Sequence, residues 1–423
     1  MLRRPLIALL TLGLVSVALP ASAGGAAGAP DPTFGSKRGI AVSDFPVSAF
    51  PYDMVQRPDG RLVVAGVSHG RLAVARFTSD GTLDPAFGRG GTIRYATPTR
   101  LRGPNALRVA LDAKGRILVV ATATGLERVE VARLRPAGSL DPTFGTGGFA
   151  ELAVAPGDTM WSDAIAARPD GGVMVLSDDP FGPDAVSVWA LTESGAPDAT
   201  FDGDGLARFQ APAPLESQFQ GRDLSVDAQG RVTILAAGLY RNPSSLRLVG
   251  RPVLMRLTIA GALDPSFGVD GTATTSRPYG GFDPSRMQIA GDHIVVAGTP
   301  YRFDAGWGAA VVRLSVDGIV DGSFGDHGAV SYPSSDYLTP TDLTVAPDGA
   351  LVMSLSSQLG ASVLRLTPEG ALDASFSDDG YAARVGVSFD QSAVAVQPDG
   401  DVVSLGWKAV VGTRQFALIR FFG

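Results

Sequence analysis

The sequence predicts an all-β fold, a seven-bladed β-propeller of four-stranded blades. Three observations support this prediction. A short motif recurs seven times, the same series of β-rich segments accompanies each copy, and the two ends of the chain carry complementary parts of one repeat. Repeats that each form one small sheet bury their apolar faces against their neighbours, so they assemble as arrays.

The recurring motif is Leu-Asp-Pro-x-Phe-Gly, which occupies residues 83–88, 140–145 and 263–268. Weaker copies keep an Asp followed three residues later by Phe. The seven Asp residues, spaced by 53, 57, 57, 66, 57 and 52 positions, are Asp31, Asp84, Asp141, Asp198, Asp264, Asp321 and Asp373. An Asp in this position accepts backbone N–H groups of the turn that follows, and this turn directs the Phe inward. We therefore interpret the motif as scaffold, with buried anchors at Phe34, Phe87, Phe144, Phe201, Phe267, Phe324 and Phe376.

Each repeat contains four β-rich segments in a constant order. In the first repeat we predict strands one to four at residues 52–57, 61–66, 71–77 and 92–95. The Pro-Asp-Gly sequence at 58–60 is a typical hairpin turn between two β-rich runs. The same order recurs along the chain, which predicts one four-stranded sheet per repeat.

The two ends of the chain complete each other. The last repeat has strands at 393–397, 402–405 and 416–421 but no fourth strand, whereas residues 39–42 form a spare strand before the first repeat. We predict that the spare strand pairs with the last one, with Ile40 near Leu418, because closure removes the open sheet edges. An open solenoid, whose ends need caps, is the alternative.

Composition narrows the possible functions. The 423 residues contain no Cys, which excludes disulfides, Cys-ligated zinc and thiol catalysis. Residues 1–23 have the basic start, apolar run and small-residue end of a cleavable signal peptide, so we expect an exported protein that is secreted, periplasmic or on the cell surface. We expect residues 24–423 to form a single propeller domain, a monomer with no membrane span. This part has 33 basic and 42 acidic residues after Arg3 and Arg4 are removed, and with no basic stripe it is not expected to bind nucleic acid.

Two signatures resemble those of the delta-60 repeat family. They are the Leu-Asp-Pro-x-Phe-Gly motif followed by Gly-Gly at residues 83–91 and the Arg-Pro-Asp-Gly-Arg-Leu-Val-Val-Ala-Gly run at 57–66, with Val-Ala-Arg-Phe at 74–77 between them. The resemblance covers essentially all of residues 30–423. It implies a secreted or surface repeat module, and it supplies no active site to transfer.

Catalytic motifs are absent from the sequence. Its three His residues, His69, His293 and His327, lie in three different repeats without metal-ligand spacing. The sequence has no nucleophile elbow, phosphate loop or zinc-protease motif. It therefore predicts no catalytic residue, no metal and no cofactor.

The strand order assigns the connections to two faces. Loops that join strand two to three, and strand four to the next strand one, lie on one face, which we call the loop face. The Pro-Asp-Gly and Asp-Pro-x-Phe turns lie on the other, the turn face. We predict a ring of charge where strand one enters the central channel at the loop face, formed by Asp53, Arg108, Asp163, Asp223, Arg286 and Asp342. The aromatic and Arg residues predicted to contact a ligand there are Trp161, Tyr240, Arg241, Tyr301 and Trp307.

Two functions fit this arrangement. The first is a non-catalytic binding module that recognises a glycan, a surface polymer or a protein through its loop face. The second is a propeller hydrolase or lyase, in which Asp53, Asp163, Asp223 and Asp342 act as acid, base or metal ligands. The second requires two convergent carboxylates in one pocket. Carboxylates bonded to neighbouring backbone N–H groups would argue against it.

Overall fold

A computed structural model of the chain contains seven four-stranded antiparallel sheets arranged as the blades of a propeller. The structure describes residues 25–35, 38–98, 101, 107–122, 128–153, 160–178, 185–213, 215–241, 248–275, 281–300, 307–334, 338–356, 360–384 and 393–423. The predicted leader at residues 1–23 lies outside these ranges. Among the described residues no helix is long and apolar enough to cross a membrane.

Strand β1 (Ile40–Val42) precedes the first complete blade. Blade 1 consists of β2 (Phe50–Gln56), β3 (Leu62–Ser68), β4 (Arg71–Phe77) and β5 (Thr92–Tyr95). Blade 2 consists of β6 (Leu107–Leu111), β7 (Ile117–Thr122), β8 (Arg128–Leu134) and β9 (Phe149–Ala153). Blade 3 consists of β10 (Trp161–Ala167), β11 (Val173–Asp178), β12 (Ala185–Leu191) and β13 (Leu206–Gln210).

The remaining blades follow the same plan. Blade 4 consists of β14 (Leu215–Val226), β15 (Val232–Arg241), β16 (Leu248–Leu257) and β17 (Thr272–Thr274). Blade 5 consists of β18 (Phe282–Ala290), β19 (His293–Pro300), β20 (Trp307–Ser315) and β21 (Ala329–Ser334). Blade 6 consists of β22 (Thr339–Val345), β23 (Leu351–Ser356), β24 (Ala361–Leu366) and β25 (Tyr381–Arg384). Blade 7 contains β26 (Val394–Val396), β27 (Val402–Val410) and β28 (Thr413–Phe421).

The ring is closed as the sequence predicts. Strand β1 pairs with β28 and supplies the missing fourth strand of blade 7, with Ile40 opposite Ile419 and Ala41 opposite Leu418. The two ends of the chain also meet through a hydrogen bond from Arg420 Nε to Asp31 Oδ2 of 2.9 Å. Closure therefore joins the termini by both backbone and side-chain bonds.

The seven motif Phe side chains are 0–1% exposed, which confirms their predicted role as anchors. Each lies against the next repeat along the ring. An added Cβ on Gly138, for example, would stand 2.8 Å from the ring of Phe87, so this position requires glycine. Burial of one Phe contributes about 1.5–3 kcal/mol, and the anchors repeat this contribution around the ring.

In six of the seven copies, an Arg on the third strand forms an ion pair with the motif Asp and lies against the ring of the motif Phe. In blade 2, Arg133 Nε donates to Asp141 Oδ2 at 2.9 Å, and the guanidinium carbon lies 4.5 Å from the centre of the Phe144 ring. Equivalent Arg–Asp pairs are Arg76–Asp84, Arg256–Asp264, Arg313–Asp321, Arg365–Asp373 and Arg420–Asp31. In blade 3 Ala190 takes the place of this Arg, and Arg168 pairs with Asp198 instead.

Blade 4 extends further on the loop face than the sequence predicts. Residues expected to form loops continue β14, β15 and β16, with Tyr240 opposite both Leu215 and Val249. This segment is rich in polar and aromatic residues and lacks the alternation that marks a strand. The three strands extend because they pair with one another, and the sequence has no periodic pattern that would predict this pairing.

Candidate functional site

Strand one of several blades bends at the same place, where one extra residue is inserted into the pairing with strand two. The register shifts at this β-bulge between Pro51 and Asp53, and between Gly221 and Asp223. The residue that follows the bulge faces the central channel. We call this place the ring position.

The channel contains a cavity of about 410 Å³ at this level. The ring-position residues that line it are Asp53, Arg108, Ala164, Asp223, Arg286 and Asp342. Of the six charged residues predicted to form the ring, five therefore line one cavity. Its walls are completed by residues that follow the ring position in each first strand, including Met54, Met287 and Leu343. The cavity therefore extends from the ring toward the turn face.

Asp163, the sixth residue predicted for the ring, lies beside it: its carboxylate interacts electrostatically with Arg108 and Arg286 but does not line the cavity. In β10 the register shifts between Ser162 and Ala164, so Asp163 is the inserted residue of the bulge and Ala164 takes the ring position. The Asp163 carboxylate lies against blade 4, where an added Cβ on Gly221 would stand 2.7 Å from Asp163 Oδ2. Burial, together with the nearby Asp178 carboxylate, raises the pKa of Asp163 well above its usual value. A bulge residue cannot be located from sequence spacing alone, because spacing does not show which residue lacks a partner.

Each ring carboxylate binds the backbone of the next blade. Asp53 Oδ1 accepts the Met54 N–H at 2.9 Å, and its Oδ2 accepts the N–H of Val109 in blade 2 at 2.8 Å. Asp223 Oδ2 accepts the N–H of Met287 in blade 5 at 3.0 Å, and Asp342 Oδ2 accepts the N–H of Val394 in blade 7 at 2.8 Å. These carboxylates hold adjacent first strands together around the channel.

The ring alters the proton affinity of its acids. Burial raises the pKa of Asp342 to about 7, with Asp53 adding to the effect and Arg286 opposing it. Burial also raises the pKa of Asp223, again against the influence of Arg286. The channel therefore disfavours uncompensated negative charge.

Within the described ranges, the two ring arginines make few polar contacts with protein. Arg286 Nη1 donates to the Ser285 carbonyl at 3.0 Å, and its Nε lies 3.6 Å from Asp342 Oδ1. Arg108 Nη1 donates to the Leu107 carbonyl at 3.1 Å, while its buried Nε has no hydrogen-bond partner among the described residues. Burial and the charge of Arg286 lower the pKa of Arg108.

The aromatic and Arg residues predicted for the loop face are more dispersed. Tyr240 and Arg241 end β15, and the guanidinium carbon of Arg251 lies 3.4 Å from the centre of the Tyr240 ring. Trp161 begins β10 and is partly buried. The backbone of Trp307 begins β20, and Tyr301 lies outside the described residues.

Two features of this face were missed in the sequence. Arg222, the inserted residue of the bulge in β14, donates to the Pro284 carbonyl at 3.2 Å and so connects blades 4 and 5. Arg414 lies between two aromatic rings, with its guanidinium carbon 4.9 Å from the centre of Phe50 and 4.4 Å from that of Trp407. Arg414 and Phe50 are more than 360 positions apart, and only closure of the ring brings them together.

The described residues contain no group of three or more acidic or His side chains placed to hold a metal ion. The motif Asp residues, which are numerous, are paired with Arg at the turn face. The charged groups that line the described part of the channel are three carboxylates and two guanidinium groups.

Comparison with known proteins supports the fold. Residues 57–87, 115–144 and 292–324 match a family model described as a beta-propeller domain of unknown function, DUF5122, which supports a propeller repeat family. No curated protein matches the chain.

Several solved structures resemble the whole propeller. A virginiamycin B lyase from Staphylococcus aureus is similar at 9% identity and a TM-score of 0.52, covering 90% of this chain and 100% of the other. A chain from the complex of Drosophila Plexin A with Semaphorin 1b is similar at 10% identity and a TM-score of 0.51, covering 90% and 86%. An ulvan lyase bound to a saccharide is similar at 9% identity and a TM-score of 0.51, covering 90% and 95%. At such identities these similarities show the fold alone.

Proposed function

We propose that the chain is an exported, non-catalytic binding propeller of the delta-60 repeat type. It recognises a glycan, a surface polymer or a protein at the loop face, where the hairpin of blade 4 extends beyond the other blades. The observation that carries this proposal is the bonding of the ring carboxylates. Asp53, Asp223 and Asp342 each accept a backbone N–H of the next blade, so they maintain the channel.

The alternative is a hydrolase or lyase at the channel mouth. Two observations favour it. Asp53, Asp223 and Asp342 line one cavity, and a carboxyl with a pKa of about 7, such as that of Asp342, suits a general acid. The same carboxylate holds the Val394 N–H, which ties it to the backbone. A second carboxyl free to act as its partner is absent from the ring as described, because Asp53 and Asp223 are engaged in the same way.

A binding screen tests the proposal. Purified residues 24–423 are screened against glycans, surface polymers and exported proteins, and each ligand found is tested with two variants. A double Tyr240→Ala, Arg241→Ala variant changes the end of β15 on the loop face, and Arg89→Ala changes an exposed residue on the turn face.

We expect the double variant to weaken binding at least tenfold and Arg89→Ala to leave it unchanged, with circular dichroism confirming that both fold. Binding lost only with Arg89→Ala would place recognition on the wrong face. A screen in which no class of ligand binds would contradict the proposal.

A further inference from the structure

The channel mouth holds its negative and positive charges differently. Its three carboxylates are anchored by backbone N–H groups at 2.8–3.0 Å. Among the described residues, the Arg108 guanidinium donates one hydrogen bond, to the carbonyl of its own neighbour, and no carboxylate oxygen lies within 4.0 Å of it. Asp53, Asp163 and Asp223 attract Arg108 through space, but none of them forms an ion pair with it.

This arrangement costs stability in the empty protein. Burial of the guanidinium and the charge of Arg286 across the same cavity outweigh the attraction of Asp53, Asp163 and Asp223, so the pKa of Arg108 is lowered and its charge is on balance unfavourable. Residues that weaken the fold in this way are common at binding sites, because the ligand supplies the missing partner. An oxyanion between Arg108 and Arg286 would supply it here, since guanidinium groups pair well with such groups.

The carboxylates of the ring favour a ligand that carries hydroxyl groups beside its oxyanion. They repel a compact anion of high charge, such as phosphate. Each oxygen that accepts one backbone N–H retains a lone pair for a further donor, which a hydroxyl group can provide. A cavity of about 410 Å³ falls within the range of small-molecule sites.

From these contacts we infer that the channel mouth binds the carboxylate of an acid sugar between Arg108 and Arg286, with sugar hydroxyls donating to Asp53, Asp223 and Asp342. The inference rests on the proposed function, that the propeller binds a ligand, and names the ligand class for the central channel.

Thermal unfolding of residues 24–423 with four small probes tests this inference. The probes are glucuronate, glucose, acetate and sulfate, at equal ionic strength. Glucose lacks the carboxylate of glucuronate, and acetate lacks its hydroxyls. Each is added to the wild type, to Arg108→Gln and to Arg71→Gln, which removes an exposed Arg outside the channel.

We expect glucuronate to raise the midpoint of the wild type and of Arg71→Gln by several degrees, and to leave Arg108→Gln unchanged. Without any probe, Arg108→Gln should unfold at the same temperature as the wild type or higher, because burial and Arg286 disfavour the charge of Arg108 more than the nearby carboxylates favour it. This second measurement separates loss of a site from loss of folding.

Equal stabilisation by acetate or sulfate, equal stabilisation of Arg108→Gln, or no stabilisation by glucuronate would overturn the inference. The proposed function fails separately. A polymer or protein that binds the wild type and Arg108→Gln equally leaves that function standing and removes the inference. If the protein binds glucuronate but no glycan polymer, surface polymer or protein, the inference stands and the proposed function fails.

Discussion

Aspartate performs two opposite tasks in this chain, and its immediate partners decide which. At the turn face, the hydroxyl and the backbone N–H of Ser323, followed by Arg313, lower the pKa of Asp321 to about 2, against the effect of burial. In the channel, burial raises the pKa of Asp342 to about 7. The first carboxylate is ionised at any ordinary pH, whereas the second changes charge near neutrality.

The raised pKa of Asp342 predicts a pH dependence of stability. Between about pH 4 and pH 7 the folded protein retains a proton that the unfolded chain releases, so the free energy of unfolding falls as pH rises through this window. The loss is at most about 4 kcal/mol, since one pKa unit corresponds to about 1.4 kcal/mol. Asp321 has the opposite sign and loses its contribution only below about pH 4.

Thermal unfolding of Asp342→Asn tests this prediction. Its midpoint should fall less between pH 4.5 and pH 7.5 than that of the wild type. The control is Asp378→Asn, at an exposed acid, which should follow the wild-type curve. Parallel curves for all three proteins would show that Asp342 titrates normally.

The blade is held to its neighbour by a unit of three side chains, Arg, Asp and Phe. In blade 2, Arg133 bonds Asp141, lies over Phe144 and donates to the carbonyl of Glu193 in blade 3. One side chain thus links two blades through an ion pair, a ring contact and a backbone bond. The repetition of this unit explains why the motif recurs along the chain.

Two arginines on one strand provide a matched test. Arg128 begins β8 and Arg133 is its last residue but one, yet the side chain of Arg133 is 1% exposed and that of Arg128 is 52% exposed. We expect Arg133→Gln to lower the free energy of unfolding by about 3 kcal/mol or more, because it leaves a buried carboxylate poorly compensated. Arg128→Gln should change it by less than about 0.5 kcal/mol. Urea denaturation measures both, and similar losses would contradict the assigned role of Arg133.

The features that recur in every blade could be predicted from the sequence. The features that depend on how strands and blades pair in three dimensions could not. Asp, Phe and the Pro-Asp-Gly turns recur at fixed offsets, so their roles follow from local chemistry. The Arg eight residues before the motif Asp was equally visible, in the Val-Ala-Arg-Phe run, but its contacts with the next blade depend on the three-dimensional arrangement. The displacement of Asp163 from the ring has the same origin, since a bulge is a property of two strands together.

The propeller as a molecule depends on joining its first and last strands. Strand β1, Asp31 and Phe34 all come from the start of the described chain, and all contact the end of it, β28. Without them blade 7 has an unpaired outer edge, and such edges promote association between chains.

Truncation tests this dependence. A chain that begins at residue 44 lacks β1 and both side chains, and a chain that begins at residue 25 retains them. We expect the shorter chain to unfold at a temperature lower by several degrees and to self-associate in size-exclusion chromatography with light scattering. A shorter chain that remains monomeric with an unchanged midpoint would mean that the ring does not need this closure.

The central claim is that the channel mouth binds its ligand without altering it. The most direct measurement is the mass of a ligand recovered after prolonged incubation with the wild-type protein, determined by mass spectrometry. We predict that the recovered ligand has its original mass. Recovery of shorter fragments, formed by the wild type and not by Asp342→Asn, would contradict the claim and assign catalysis to the ring.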